Sequence, residues 1–349
     1  MRRNPLSSAT KRELAFPLSD HFDGKRFFNP TLPKGAAPGL SNVLKMILEK
    51  RSRWPVSVEN KGSPRLQEKP GSDEVAVTFV NHATFLIQMN GMNILTDPIW
   101  SKRASPFRWL GPARVRKPGL ELSALPEIHL LLISHNHYDH LDIETLKALS
   151  RRFNPMVLVA AGDKGLVKST GFNQVHEFDW WEKTQIHPGF EITFTPTQHF
   201  SARSLFDRHK SLWGGYLIQH LDQRIYFGGD SGYSSHFSDI QRKLGSPDLA
   251  FLGIGAYEPR WFMKPMHMNP MEAVKAHHDL GAAQSIGMHF GTFHLSSESI
   301  DQPLVELKSA LLSEGIPESR FVTLQEGETR VFKIFQKNQA FEKPHATTS

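Results

Sequence analysis

The segment His135-Asn136-His137-Tyr138-Asp139-His140-Leu141-Asp142 constrains this chain most, because it gathers three imidazoles and an inner carboxylate within six residues. It follows the apolar run Ile128-His129-Leu130-Leu131-Leu132-Ile133-Ser134, which reads as a buried strand and holds the cluster on a rigid edge. Neutral imidazole and carboxylate suit zinc and similar borderline cations. The His-x-His-x-Asp-His spacing can serve two adjacent ions, with His135 and His137 facing one and Asp139 and His140 the other. The competing reading is a polar loop in a chain that carries 18 histidines. The strand ahead of the cluster favours metal.

The chain has no cysteine, which excludes thiolate ligands and disulfides and leaves any metal to His, Asp or Glu. With 349 residues, 39% hydrophobic and 22% charged, it can bury a large core. The basic N-terminal stretch Met1 to Thr10 is followed by polar sequence rather than a secretory apolar region, and no stretch approaches the roughly 20 apolar residues of a membrane span. The expectation is a cytoplasmic protein, with peripheral membrane contact open. A net charge of +6 favours an anionic partner in general terms. Lys102, Arg103, Arg108, Arg114, Arg116 and Lys117 gather among Pro106, Phe107, Trp109, Leu110 and Pro112, either as a solvated loop or as a phosphate- or membrane-facing patch.

Residues 1–70 read as an extended, partly ordered N-terminal arm with one amphipathic helix near Leu40 to Leu48, and 339–349 as a disordered tail. Between them, 71–338 form one domain. Strands are expected at 75–80, 84–88, 93–96, 130–134, 156–160, 191–195, 215–219, 224–228, 249–252, 285–288 and 330–335. Helices are expected at 143–150, 164–169, 237–244, 270–280 and 302–313, with Asn269 capping Pro270 at one start. Strands followed by helices recur once in each half, and two such halves packed sheet on sheet give a four-layer αββα sandwich.

Three further ligand candidates each follow an apolar strand: His199, Asp230 after Gly228-Gly229, and His289. The set then divides naturally, with His135, His137 and His199 on one ion, Asp139, His140 and His289 on the other, and Asp230 bridging. Two divalent ions about 3.5–4 Å apart lower the pKa of a shared water and stabilise charge on attacking and leaving oxygens, so the implied chemistry is hydrolysis. Asp142 and Asp97 are candidates to orient the imidazoles, with a turn role equally open for Asp97. His176, His220, His277, His278 and His294 read as surface or packing residues.

The loop His135 to Asp142, the carboxylate in Gly229-Asp230-Ser231-Gly232-Tyr233 and the late His289 resemble the metallo-β-lactamase superfamily. Within it, Gly255-Ala256-Tyr257-Glu258-Pro259-Arg260-Trp261-Phe262-Met263-Lys264 resembles the N-acylphosphatidylethanolamine-hydrolysing phospholipase D family. So do Leu95-Thr96-Asp97-Pro98-Ile99-Trp100-Ser101, Thr197-Gln198-His199 with Leu212-Trp213-Gly214, and His289-Phe290-Gly291-Thr292-Phe293. The resemblance spans roughly Phe79 to Pro303. It implies an αββα fold, two zinc ions on the set above, a homodimer, and cleavage of an anionic phospholipid to N-acylethanolamine and phosphatidic acid. By position it places Asp139, Asp230 and His267 in catalysis, with Tyr138 and His267 lining the reacting phosphate. Tyr257, Glu258 and Arg260 would shape the pocket, unless Glu258 and Arg260 form an internal ion pair. Trp261-Phe262-Met263 is the best candidate for acyl-chain contact, among aromatics that are otherwise mostly core. The chain departs from the family at Pro265-Met266, where a Tyr-Gln pair is expected before His267, so that polar contact is not carried over.

Two other readings stand beside this one. A hydrolase with the same metal pair acting on a soluble ester, lactone or phosphodiester is compatible with the fold. A basic nucleic-acid-binding or non-catalytic scaffold protein would leave the ligand set without purpose, and no nucleic-acid partner is assigned.

Overall fold

The computed structural model describes residues 16–33, 51–64, 71–204 and 206–334, with a few isolated positions between 42 and 70. The expected helix near Leu40 to Leu48 falls largely outside the described residues, and the tail 339–349 falls wholly outside them.

Two seven-stranded sheets form the centre. The first has the order β14-β1-β2-β3-β4-β5-β6, built from β1 (Glu74–Asn81), β2 (Thr84–Met89), β3 (Met92–Thr96), β4 (Leu130–Leu132), β5 (Met156–Ala160), β6 (Val175–Phe178) and β14 (Thr329–Lys333). The second has the order β13-β12-β11-β10-β9-β8-β7. It is built from β7 (Lys183–His187), β8 (Phe190–Thr195), β9 (Gly215–His220), β10 (Gln223–Phe227), β11 (Leu249–Gly253), β12 (Gln284–Met288) and β13 (Phe321–Val322). In each sheet a parallel run, β3 to β6 or β10 to β13, continues an antiparallel part.

Period-two alternation decides the layers. Leu130 and Leu132 of β4 face the core between the sheets, whereas Leu131 and Ile133 face an outer core under α1 (Ile143–Arg152) and α2 (Lys164–Lys168). On the second sheet Leu249 and Phe251 point inward, and Ala250 and Leu252 pack beneath α3 (His236–Leu244), α5 (Pro270–Leu280) and α6 (Gln302–Ser313). The result is the αββα sandwich expected from the two-half pattern. Phe251 is wholly buried in the central core, and truncating a phenylalanine at such a position costs about 3–5 kcal/mol.

The elements not anticipated are β6, β7, β13, the single turn α4 (Arg260–Met263) and the 3-10 turns Leu122–Ala124 and Glu318–Arg320. β7 is a polar edge strand and β13 has only two residues, so neither carries a periodic signal. The described part of the N-terminal segment docks on the domain: Phe22 and Phe27 are buried in the central core, and Trp54 donates to the Glu298 carbonyl. No described helix is long and apolar enough to cross a membrane.

Candidate metal centre

The ends of β4, β8, β10 and β12 open onto one edge of the sandwich, and the residues that follow them converge there. His135, His137 and His199 form one group, His135, His140 and Asp230 a second, and Asp139, His140 and His289, with His82, a third, each with its ligand atoms within 4.8 Å of one another. The structure therefore brings together all seven residues expected as ligands. The Asp230 Oδ2 atom lies 3.1 Å from His289 Nε2, 3.2 Å from His140 Nε2, 3.7 Å from His199 Nε2 and 3.9 Å from His135 Nε2, which places it between the groups.

Local backbone explains the convergence. Gly229, just before Asp230, has φ +55°, and a Cβ there would stand 2.7 Å from the Ser134 Cβ. Only glycine lets the β10 exit press against the β4 exit. Three non-glycine residues of the site also hold positive φ: Asp97 at 31°, His82 at 50° and His289 at 62°. Such strain gathers where surrounding contacts fix a functional geometry.

Three of the imidazoles are held through Nδ1. The Nδ1 of His140 meets Asp97 Oδ2 at 2.7 Å, His199 Nδ1 meets the Met266 carbonyl at 3.0 Å, and His135 Nδ1 meets Ser134 Oγ at 2.9 Å. When Nδ1 carries the proton, the Nε2 lone pair is left facing the centre. His137 instead presents Nδ1 at 2.9 Å from His135 Nε2 and 3.2 Å from His199 Nε2, and His289 Nδ1 is buried without a hydrogen-bond partner.

The donor set fits divalent cations. Nitrogens bound to zinc at about 2.0–2.1 Å in a tetrahedron stand roughly 3.3 Å apart, close to the spacings seen here. His140 Nε2, His289 Nε2 and Asp230 Oδ1 are buried without a hydrogen-bond partner, as atoms reserved for a cation would be. Burial pushes His137 down to about 3 and His199 to about 4, so both stay neutral. Burial pushes Asp139 and Asp230 up, but His140 and its neighbours pull both carboxyls well below their usual range. Burial likewise lowers His140 and His289, yet the carboxylates Asp230 and Asp139 hold His140 well above its ordinary value and His289 at about 9. Those two protons occupy the electrostatic place of a cation.

Two assignments change. Asp142 does not orient an imidazole: its carboxylate accepts from Ser101 N and Oγ, from Thr145 Oγ1 and from Glu144 N, capping α1. Asp97 does orient one, and it also accepts from Ser134 N and Oγ at 2.7 Å each. Arg260 pairs with Glu272 at 2.6 Å rather than with Glu258, and donates to the carbonyls of Tyr257 and His267. Glu272 closes the capping box of α5 with Asn269, so Arg260 ties the 257–267 loop to that helix.

The other substrate candidates are placed as follows. His267 reaches the centre, with Nδ1 3.9 Å from Asp230 Oδ2. Tyr138 turns its hydroxyl to the Arg203 carbonyl at 2.7 Å, under a guanidinium 4.0 Å from its ring. Tyr257 is buried, and Trp261 is 44% exposed with its indole bonded to Glu49. Phe262, Met263 and Met266 form a small apolar cluster with Ala256, against which Phe200 packs. Phe200 in turn lies edge-on to His137.

His82 was not anticipated. Its Nε2 stands 2.9 Å from Asp139 Oδ2, and its carbonyl accepts from His289 N. It sits alone in the β1–β2 turn, far in sequence from the other ligand candidates, so no spacing rule could mark it.

Residues 92–290 match the beta-lactamase superfamily domain. The chain is 35% identical over 348 residues to N-acyl-phosphatidylethanolamine-hydrolyzing phospholipase D 1 of Caenorhabditis elegans, covering 93% of this chain and 96% of that one. It is 37% identical over 250 residues to the mitochondrial N-acyl-phosphatidylethanolamine-hydrolyzing phospholipase D of Saccharomyces cerevisiae, covering 70% of this chain and 53% of that one. Among solved structures, an isothiocyanate hydrolase from Delia radicum gut bacteria shares the fold with a TM-score of 0.61 at 20% identity, over 74% of this chain and 99% of that one.

Proposed function

We propose a substrate for a chain that belongs to the metallo-β-lactamase superfamily and, within it, to the N-acylphosphatidylethanolamine-hydrolysing phospholipase D family. That substrate is the phosphodiester of an N-acylated phosphatidylethanolamine or a related anionic lipid. The coarser assignment, a metal-dependent hydrolase with a two-cation donor set, rests on family and geometry together. The observation that supports the finer one is the 35% identity, over 93% of this chain, to a relative that bears the phospholipase name, with Asp230 buried between the histidine groups.

In this reading His135, His137 and His199 would hold one divalent cation, Asp139, His140 and His289 the other, and Asp230 would be shared between them. When bound, such a pair would supply a nucleophilic water at neutral pH and offset charge on the phosphoryl oxygens. Asp97, Ser134 and the Met266 carbonyl keep three imidazoles in register, so little reorganisation accompanies the reaction. His267, kept neutral by burial, can donate a hydrogen bond to the phosphoryl group beside Asp230. Water adds to phosphorus and gives up a proton, the bond from phosphorus to the ethanolamine oxygen breaks and that oxygen takes up a proton, and the products are phosphatidic acid and N-acylethanolamine.

A second reading, hydrolysis of a soluble ester, lactone or phosphodiester, is favoured by Pro265-Met266. These residues offer only carbonyls, used by Gln198 and His199, where the family pattern offers polar side chains. Zinc-loaded protein incubated with N-acylphosphatidylethanolamine in mixed micelles and with soluble phosphodiesters separates the two. Release of N-acylethanolamine at a rate rising with lipid surface supports the lipid; turnover of soluble compounds alone overturns it.

A further inference from the structure

The loop between β3 and β4 carries an apolar tip that the catalytic reading leaves unused. Phe107 is 50% exposed, Trp109 74% and Leu110 54%, and the two rings pair at 5.6 Å between centroids. Large apolar side chains crowded on one exposed turn mark a contact surface rather than packing.

The tip is presented rigidly. At its base Arg103 bridges to Ala113, Ala104 N donates to the Pro112 carbonyl and Arg114 N to the Lys102 carbonyl. Gly111 closes the tip at φ +98°, where a Cβ would meet the Ser105 Cβ at 2.6 Å. The Arg114 guanidinium, largely buried, donates to the carbonyls of Ser101 and Ile99. Ser101 is bound by Asp142, the last residue of the histidine loop, so tip and site share one frame.

Between tip and histidine loop lies an open groove of about 660 Å³. Lys102, Arg103, Arg108 and Arg203 line it together with Tyr138. Of its two carboxylates, Asp142 is bound to Ser101 and Glu144 makes an exposed pair with Arg108 at 3.1 Å, which a lipid phosphate would replace. Phe206, three residues beyond Arg203, is 79% exposed. Cations behind projecting aromatics match a surface with negative headgroups over an apolar interior.

We propose that the 106–110 tip is a membrane anchor that seats the chain on an anionic lipid surface, with Phe107, Trp109 and Leu110 entering the interface and Lys102 and Arg108 meeting lipid phosphates. The proposal shares the lipid reading of the catalytic site, but its test needs no turnover. Metal-loaded protein is co-sedimented with vesicles of phosphatidylcholine, alone or mixed with phosphatidylglycerol, neither being an N-acylated substrate. The Phe107→Ser/Trp109→Ser variant should lose on the order of 10–100-fold in partitioning onto the mixed vesicles. Lys102→Gln/Arg108→Gln should lose about fivefold per cation on the mixed vesicles and little on phosphatidylcholine. Brominated acyl chains should quench a fluorescence component that is missing in Trp109→Phe. Circular dichroism and zinc content identical to wild type exclude misfolding as the cause. Wild-type binding by the aromatic variant, or no quenching of Trp109, overturns the anchor. So does conversion of a dimer to a monomer by the same substitutions with vesicle binding intact, which would make the tip a face between copies. Absence of N-acylethanolamine production with vesicle binding retained would instead remove the substrate and leave the anchor.

Discussion

Asp97 and His140, separated by 43 positions, meet at 2.7 Å in a place where neither side chain has any exposure. The carboxylate fixes the Nδ1 proton of the imidazole and leaves Nε2 to the centre, beside Asp230. Asp97→Asn keeps the shape and weakens this hold. It should reduce zinc affinity or activity about 10–100-fold with a small change in melting temperature, as read by chelator competition and calorimetry.

Metal loading should release protons. Without a cation, Asp230 and Asp139 keep His140 protonated and His289 titrating at about 9, against the pull of burial. A divalent ion must displace those protons to reach Nε2. Titrating zinc into metal-free protein at neutral pH, in buffers of different ionisation heat, should show release on the order of two protons. The release should fall, and apparent affinity rise, as pH approaches that of His289 deprotonation. A pH-independent affinity would contradict the assignment.

Asp163 gives a stability profile separate from the ligands. Burial pushes its carboxyl up to about 7, while Asn136, in the histidine loop, donates to it at 3.0 Å. The folded state therefore keeps a proton that the unfolded chain loses near pH 4, and stability falls as pH rises from there to 7. Asp163→Asn should remove that slope, worth on the order of a few kcal/mol, in denaturation series across the window.

Tyr138 and Arg203 should respond unequally. Arg203 donates to the carbonyls of Asn136 and Leu141, bracketing the histidine loop. Arg203→Ala should cost about 2–3 kcal/mol of stability and lower zinc occupancy. Tyr138→Phe loses only the bond to the Arg203 carbonyl and should cost about 1 kcal/mol with a few-fold change in rate. A loss of several hundredfold in Tyr138→Phe would instead place its hydroxyl on the phosphate.

What the sequence disclosed follows from which interactions are local. The β4 strand and the histidine loop are legible because a continuous apolar run and the ligand spacing both lie within a dozen residues. His199, Asp230 and His289 were legible as residues leaving apolar strands. His82 and the Met266 carbonyl were not, since one is an isolated side chain and the other is backbone, which no residue type announces. Asp142 and Arg260 were identified as residues of interest, but their partners, Ser101 and Glu272, depend on how loops fold back. The polar edge strand β7 is not legible because Ile186 is the one large apolar residue among its five.

The proposed lipid reaction is attack of water on phosphorus at the Asp230-centred site. The most direct measurement is mass spectrometry of products formed by zinc-loaded protein from N-acylphosphatidylethanolamine in 18O-labelled water. Unlabelled N-acylethanolamine and phosphatidic acid carrying one 18O are expected, both lost in Asp230→Ala. Label in the N-acylethanolamine, release of diacylglycerol, or undiminished products from Asp230→Ala would contradict it.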